Sequence, residues 1–94
     1  MSNTPTEPID VHSLLMIMLE QVSQVAWSKL GLQPDPLTGQ MQNDLEQAKV
    51  AVDVVSDLAK HLEAKLDDED KRQIRNLVRD LQVNYIERAN GASR

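Results

Sequence analysis

Few side chains in this sequence could do chemistry. It holds two histidines, His12 and His61, and no cysteine. Thiolate-held zinc, iron–sulfur clusters, disulfides and thiol nucleophiles are therefore excluded. Neither histidine has a second ligand at i+4, so the paired His-x-x-x-His that grips a metal is missing, and His61 beside Asp57 on the polar side of its helix reads as a solvated side chain. Asp67-Asp68-Glu69-Asp70 gathers four carboxylates. A calcium loop alternates its oxygen ligands, bends at a glycine and closes on a glutamate, and none of that spacing is present. Hydrolysis by two carboxylates needs a pocket that separates and desolvates them. An exposed helix start offers no such pocket, but carboxylates there oppose the positive end of the helix dipole. The run is read as a helix start, and no metal site or cofactor site is expected.

Arg72, Arg75 and Arg79 share one side of the helix that follows. They form the candidate patch for a phosphate or an acidic partner. Asp68 and Glu69, three and four residues away, neutralise part of it. No aromatic residues interleave for base stacking. The net charge is −5, so bulk attraction to nucleic acid is disfavoured. Pro34-Asp35-Pro36-Leu37-Thr38-Gly39 is the other unusual stretch. It has one glycine, too few to cradle a phosphate through backbone amides. Its two prolines and Thr-Gly turn read as a rigid crossover.

The elements around these residues are helical. Ninety-four residues suffice for one small domain. Aromatics are 2% of the chain, and strands are normally richer in them, so the composition leans to helix. Residues 1–9 read as a disordered tail with two prolines. Asp10 is a fitting N-cap, and the first helix is predicted over Val11–Leu30, with Gly31 as its stop. Asn43-Asp44-Leu45-Glu46 has the form of a capping box, so a second helix is predicted from Asn43 to about Leu66. Asp67 then caps a third, which is predicted to run to Ala89 and end at Asn90-Gly91. Residues 10–90 form the single domain, and residues 91–94 a second tail.

The faces tell the helices apart. The second carries Leu45, Ala48, Val52, Val55, Ala59, Leu62 and Leu66 in alternating steps of three and four, widened by Ala51 and Leu58. The third has a narrower stripe of Ile74, Leu77, Val78, Leu81 and Tyr85. Almost no linker separates these two, so they turn back on each other as an αα-hairpin. The first helix is different. At 3.6 residues per turn its apolar arc spans roughly 220°, against the ~100° needed to pack on one side. The hairpin can cover one side of it. A second copy of the chain is expected to cover the other, with Leu15, Met16, Leu19 and Trp27 as the candidate dimer interface.

Leu30-Gly31, Pro34-Asp35-Pro36-x-Thr38-Gly39, Leu45-x-x-Ala48, Val52-Asp53 and Leu77-x-x-x-Leu81-x-x-x-Tyr85-Ile86-Glu87 follow one ordered pattern. It resembles a bacterial family of short proteins known as domain of unknown function eighteen-forty-four. The resemblance runs over about residues 10–88. That family often has a Lys-Thr-x-Gly-Asn turn before its last helix. This chain reads His61-Leu62-Glu63-Ala64-Lys65-Leu66 there, which implies a longer second helix. The resemblance implies a helical fold and transfers no activity and no site residue.

The reading is an all-α chain of three helices, a long N-terminal helix plus an αα-hairpin, assembled as a homodimeric helical bundle. It is read as a non-enzymatic interaction or structural module whose partner is itself. The alternative is a regulator that docks an acidic protein or nucleic acid through Arg72, Arg75 and Arg79. The apolar run Leu14–Leu19 is short, is preceded by acidic residues, and ends at Glu20. It is neither a secretory signal nor a membrane span, and a cytoplasmic location is expected.

Overall fold

The computed structural model describes residues 7–92 of the chain. Its elements are α1 (Val11–Lys29), α2 (Leu45–Leu62), a single 3-10 turn (Glu63–Lys65) and α3 (Asp68–Ala92). The expected architecture of a long first helix and a helical hairpin is what the chain adopts. No strand occurs among the described residues.

Local chemistry explains most boundaries. Asp10 caps α1 by accepting from the Ser13 N–H and the Ser13 hydroxyl, both at 2.8 Å. These bonds hold the Asp10 carboxyl below its ordinary pKa, because they favour the charged form. At the other end Gly31 takes φ 81°, the left-handed turn that glycine reaches without steric penalty. The Gly31 N–H then donates to the Ser28 carbonyl and the Leu32 N–H to the Trp27 carbonyl, which closes a Schellman motif. Asp67 caps α3 through the Asp70 N–H at 2.9 Å.

Three boundaries differ from expectation. The cap of α2 is Asp44, whose carboxylate accepts from the Gln47 N–H at 3.1 Å. Glu46 thus falls at the second helical position, one short of a capping box. Asp44 wins because its own N–H donates to the Lys29 carbonyl at 2.8 Å, which pins the start of α2 to the end of α1. Next, α2 stops at Leu62 and tightens into the 3-10 turn, leaving Leu66 extended. A tighter last turn satisfies carbonyls that a helix end leaves free, and it re-aims the chain into α3. Finally, α3 does not end at Asn90-Gly91 but continues through Ala92. Glycine ends a helix only where the chain makes the left-handed turn. Gly31 makes it and Gly91 does not. Of the two expected tails, residues 1–6 and 93–94 lie outside the described residues. Glu7–Ile9 are exposed and without regular structure.

α2 is the middle helix. It packs against both neighbours, more extensively against α1 than against α3. It contributes Ala48, Ala51, Val52, Val55, Leu58, Ala59 and Leu62 to the core. Three of these are alanines, and small residues let flanking helices approach closely. α1 adds Leu19, Ala26 and Leu30, and α3 adds Ile74 and Leu81. The seam read from the second helix is therefore the core seam, with Leu45 and Leu66 half-buried at its ends.

Candidate functional site

The sites named from sequence fall into three places. Among the four proposed interface residues, Leu19 is only 2% exposed and belongs to the chain's own core. Leu15, Met16 and Trp27 are half-buried and packed against that core. Met16, Leu19 and Glu20 of α1 line a groove with Asp70, Gln73, Ile74 and Leu77 of α3. This side of α1 is therefore turned toward its own chain.

A different strip of α1 is left in solvent. Val11, Leu14, Met18 and Val25 are exposed, with Leu15 and Val22 half-buried at its edge. Helical phase puts this strip roughly opposite the Met16–Glu20 side, at about 100° per residue. Val50 and Val54 of α2 are exposed as well. On α2, Ser56, Ala59 and Glu63 line the groove against α3. By the same phase argument Val50 and Val54 lie away from α3. α1 and α2 thus present apolar side chains together, on the side of the hairpin that α3 does not cover. A signal for this strip existed in the sequence. Val11, Leu15, Met18, Val22 and Val25 are spaced 4, 3, 4, 3, a second heptad seam beside the one that meets the core.

The arginine row lies on the exposed side of α3, and each guanidinium has an acid beside it. Arg72 pairs with Glu69. Arg75 Nε donates to Glu63 Oε1 at 2.6 Å, reaching back across the turn to the end of α2. Arg79 Nε lies 3.9 Å from Asp80. Exposed pairs of this kind contribute about 0–1 kcal/mol each, but they lower the charge available to an anionic partner.

A groove of about 740 Å³ runs between the start of α1 and the turn into α3. Asp10, His12, Ser13, Met16 and Ile17 line one side, and Leu62, Lys65 and Leu66 the other. Its hydroxyl and carboxylate are already spent on each other in the helix cap. His61 lies on α2, exposed, and does not line this groove. Among the described residues no group of three His, Asp or Glu could hold a metal ion.

The Pro34–Gly39 loop is tightly built. Asp35 Oδ1 accepts from the Leu37 and Thr38 N–H groups at 2.8 and 3.0 Å. Its Oδ2 accepts from Gln42 Nε2 at 2.7 Å. Gln42 Oε1 in turn accepts from Lys29 Nζ at 3.2 Å. The Thr38 and Leu37 amides hold the Asp35 carboxyl below its ordinary pKa. The loop is a crossover fastened at one aspartate, as its prolines suggested. It presents Leu37, 95% exposed, at its tip.

A family model described as Domain of unknown function (DUF1844) matches residues 12–87. The chain belongs to that family. The DUF1844 match covers α1 except Val11, the fastened loop, all of α2, α3 as far as Glu87, and every residue of the exposed strip except Val11. No curated protein and no solved structure matches the chain. No helix among the described residues is long and apolar enough to cross a membrane.

Proposed function

We propose that this DUF1844 protein is a non-enzymatic helical module that associates with a second copy of itself through the uncovered side of α1 and α2. The observation that carries this reading is the exposed strip. Val11, Leu14, Met18, Val25, Val50 and Val54 are each between 37 and 61% exposed. Together they leave on the order of 500 Å² of apolar surface in water, the size of the largest and often functional patch on a protein surface. Two such strips face to face remove about 1,000 Å², the threshold for a specific interface, and the half-buried Leu15 and Val22 add to it. Two-fold symmetry is the commonest way to close such a contact. The family resemblance and the acidic residues ahead of α1 support a bacterial, cytoplasmic module.

Supporting a non-enzymatic role, Asp10 and Ser13 bond each other in a helix cap, Asp67 caps α3 and Glu69 pairs with Arg72. The docking reading through Arg72, Arg75 and Arg79 is less supported, because each arginine already has an acidic neighbour. Size exclusion with light scattering tests the main reading. The expected mass at tens of micromolar protein is twice the 10.6 kDa of one chain. Met18→Glu should return the mass to that of one chain while helical circular dichroism is kept. Gln24→Glu, on the polar side of α1, should leave the dimer intact. A single-chain mass for the unaltered protein would refute self-association.

A further inference from the structure

We infer that the two copies of α1 cross antiparallel, with the two-fold axis passing close to Met18. This rests on the self-association proposed above and adds its direction and register.

One observation sets the register and a second sets the direction. The strip on α1 runs from Val11 to Val25, and Met18 is its midpoint. Turning the helix end over end about Met18 lays Val11 opposite Val25 and Leu14 opposite Val22, so apolar residues meet apolar residues along the strip. Charge is also distributed unevenly along α1. The residues just ahead of it are acidic, Glu7 and the N-cap Asp10, its first turn holds no acid, and its last turn carries Lys29. Glu20 lies off the strip, on the side facing the α3 groove. A parallel pair would set the acidic ends side by side and the two lysines side by side. An antiparallel pair sets each acidic end against the other copy's lysine, and it also opposes the helix dipoles favourably. The α2 helices then flank the central pair, and α1 and α2 of both copies form a four-helix arrangement with α3 outside.

The absence of cysteine makes the test clean, since any introduced thiol is the only one in the chain. Three variants, Met18→Cys, Val11→Cys and Val25→Cys, are treated with a short bismaleimide under dimer-forming conditions. Met18→Cys should cross-link to a covalent dimer in most of the population. Val11→Cys alone should not, because the two copies of residue 11 would be about 21 Å apart along the axis. Val11→Cys mixed and re-equilibrated with Val25→Cys should cross-link again. This pair carries the test should Met18→Cys fail to keep its helical circular dichroism. Linking of Val11→Cys to itself as readily as Met18→Cys would overturn the inference in favour of a parallel pair. Absence of cross-links from Met18→Cys and from the mixture, in a sample that light scattering still reads as a dimer, would overturn the register while self-association stands. A single-chain mass before cross-linking would remove both.

Discussion

α1 and α3 flank the same helix, and they solve the flanking problem in opposite ways. α3 buries one apolar stripe, and outside it only Val83 and Ile86 are exposed large apolar side chains among its described residues. Its other sides carry Arg72, Arg75, Arg79 and their acids, so water is an adequate neighbour. α1 meets the core with Leu19, Ala26 and Leu30 and then presents Leu14, Met18 and Val25 to solvent elsewhere. An amphipathic helix needs one apolar stripe, and α1 carries two. The contrast separates what folding requires from what is left over. The surface of α3 is mostly charged, and α1 supplies the strip on which the proposed self-association rests.

The largest effect should be common to both flanks. Leu19→Ala in α1 and Leu81→Ala in α3 each empty a site that is 2% or less exposed. Each should cost about 2–5 kcal/mol in denaturant unfolding. A loss at Leu19 below about 0.5 kcal/mol, typical of surface changes, would mean that α1 is not seated on the core as described.

The next effect belongs to the α1 side. Gly31→Ala forces an L side chain into φ 81°, and its Cβ would lie 3.3 Å from the Gln42 carbonyl oxygen. The backbone strain alone should cost about 1–2 kcal/mol. Gly91→Ala, in ordinary helical conformation near the end of α3, should cost nothing and add a few tenths of a kcal/mol at most. Thermal melts of the two variants give the comparison directly.

A smaller effect has the opposite sign. Ser28 is wholly buried near the end of α1, and its hydroxyl has no hydrogen-bond partner among the described residues. An unsatisfied buried hydroxyl costs about 1–3 kcal/mol, so Ser28→Ala should stabilise the protein, by about 1 kcal/mol. Ser23, also buried, donates to the Leu19 carbonyl at 2.6 Å, and Ser23→Ala should show no such gain. A destabilised Ser28→Ala variant would reveal a partner for that hydroxyl.

Mild acid should separate the two flanks least. Asp10 and Asp35, at the two ends of α1 and in its loop, have carboxyl pKa values lowered by the amides they accept from. A group whose pKa is depressed on folding stabilises the fold above its unfolded value, near 3.9, and that contribution fades as pH falls through the folded value. The melting midpoint should therefore drop as pH goes below about 4. Asp35→Asn should lower the midpoint at neutral pH and flatten the drop. An unchanged slope in that variant would show that the loop carboxylate is not involved.

Much of this was legible in the residues. Asp10, Gly31 and Asp67 act where their types said they would, because a cap is decided by four or five neighbouring residues. The α2 seam was legible too, since a strict 3-4 pattern admits one face. Asp44 displaced Asn43 through a bond to Lys29, a contact fifteen residues away that a local motif cannot encode. The candidate interface illustrates the same boundary. The width of the apolar arc on α1 announced two covers, but the rotation of α1 about its axis depends on how it seats against α2. Leu19 was named for a partner and went to the core. Met18 and Val25, on the same arc, went to the surface.

The middle position of α2 also bears on how the protein comes apart. α3 is held chiefly by α2, and α2 grips α1 more extensively than it grips α3. Regions with fewer buried contacts open at lower free energy than the whole molecule does. Amide exchange should therefore be fastest in α3 and slowest in α2, with α3 detaching as a unit while the α1–α2 pair persists. In that partly open form Val52 and Ala59 would lose their α3 cover, and the chain would show apolar surface on both sides at once. Undocked α3 would then be the state most prone to aggregation, and salt that screens the Arg75–Glu63 tie between α3 and the turn after α2 would populate it first.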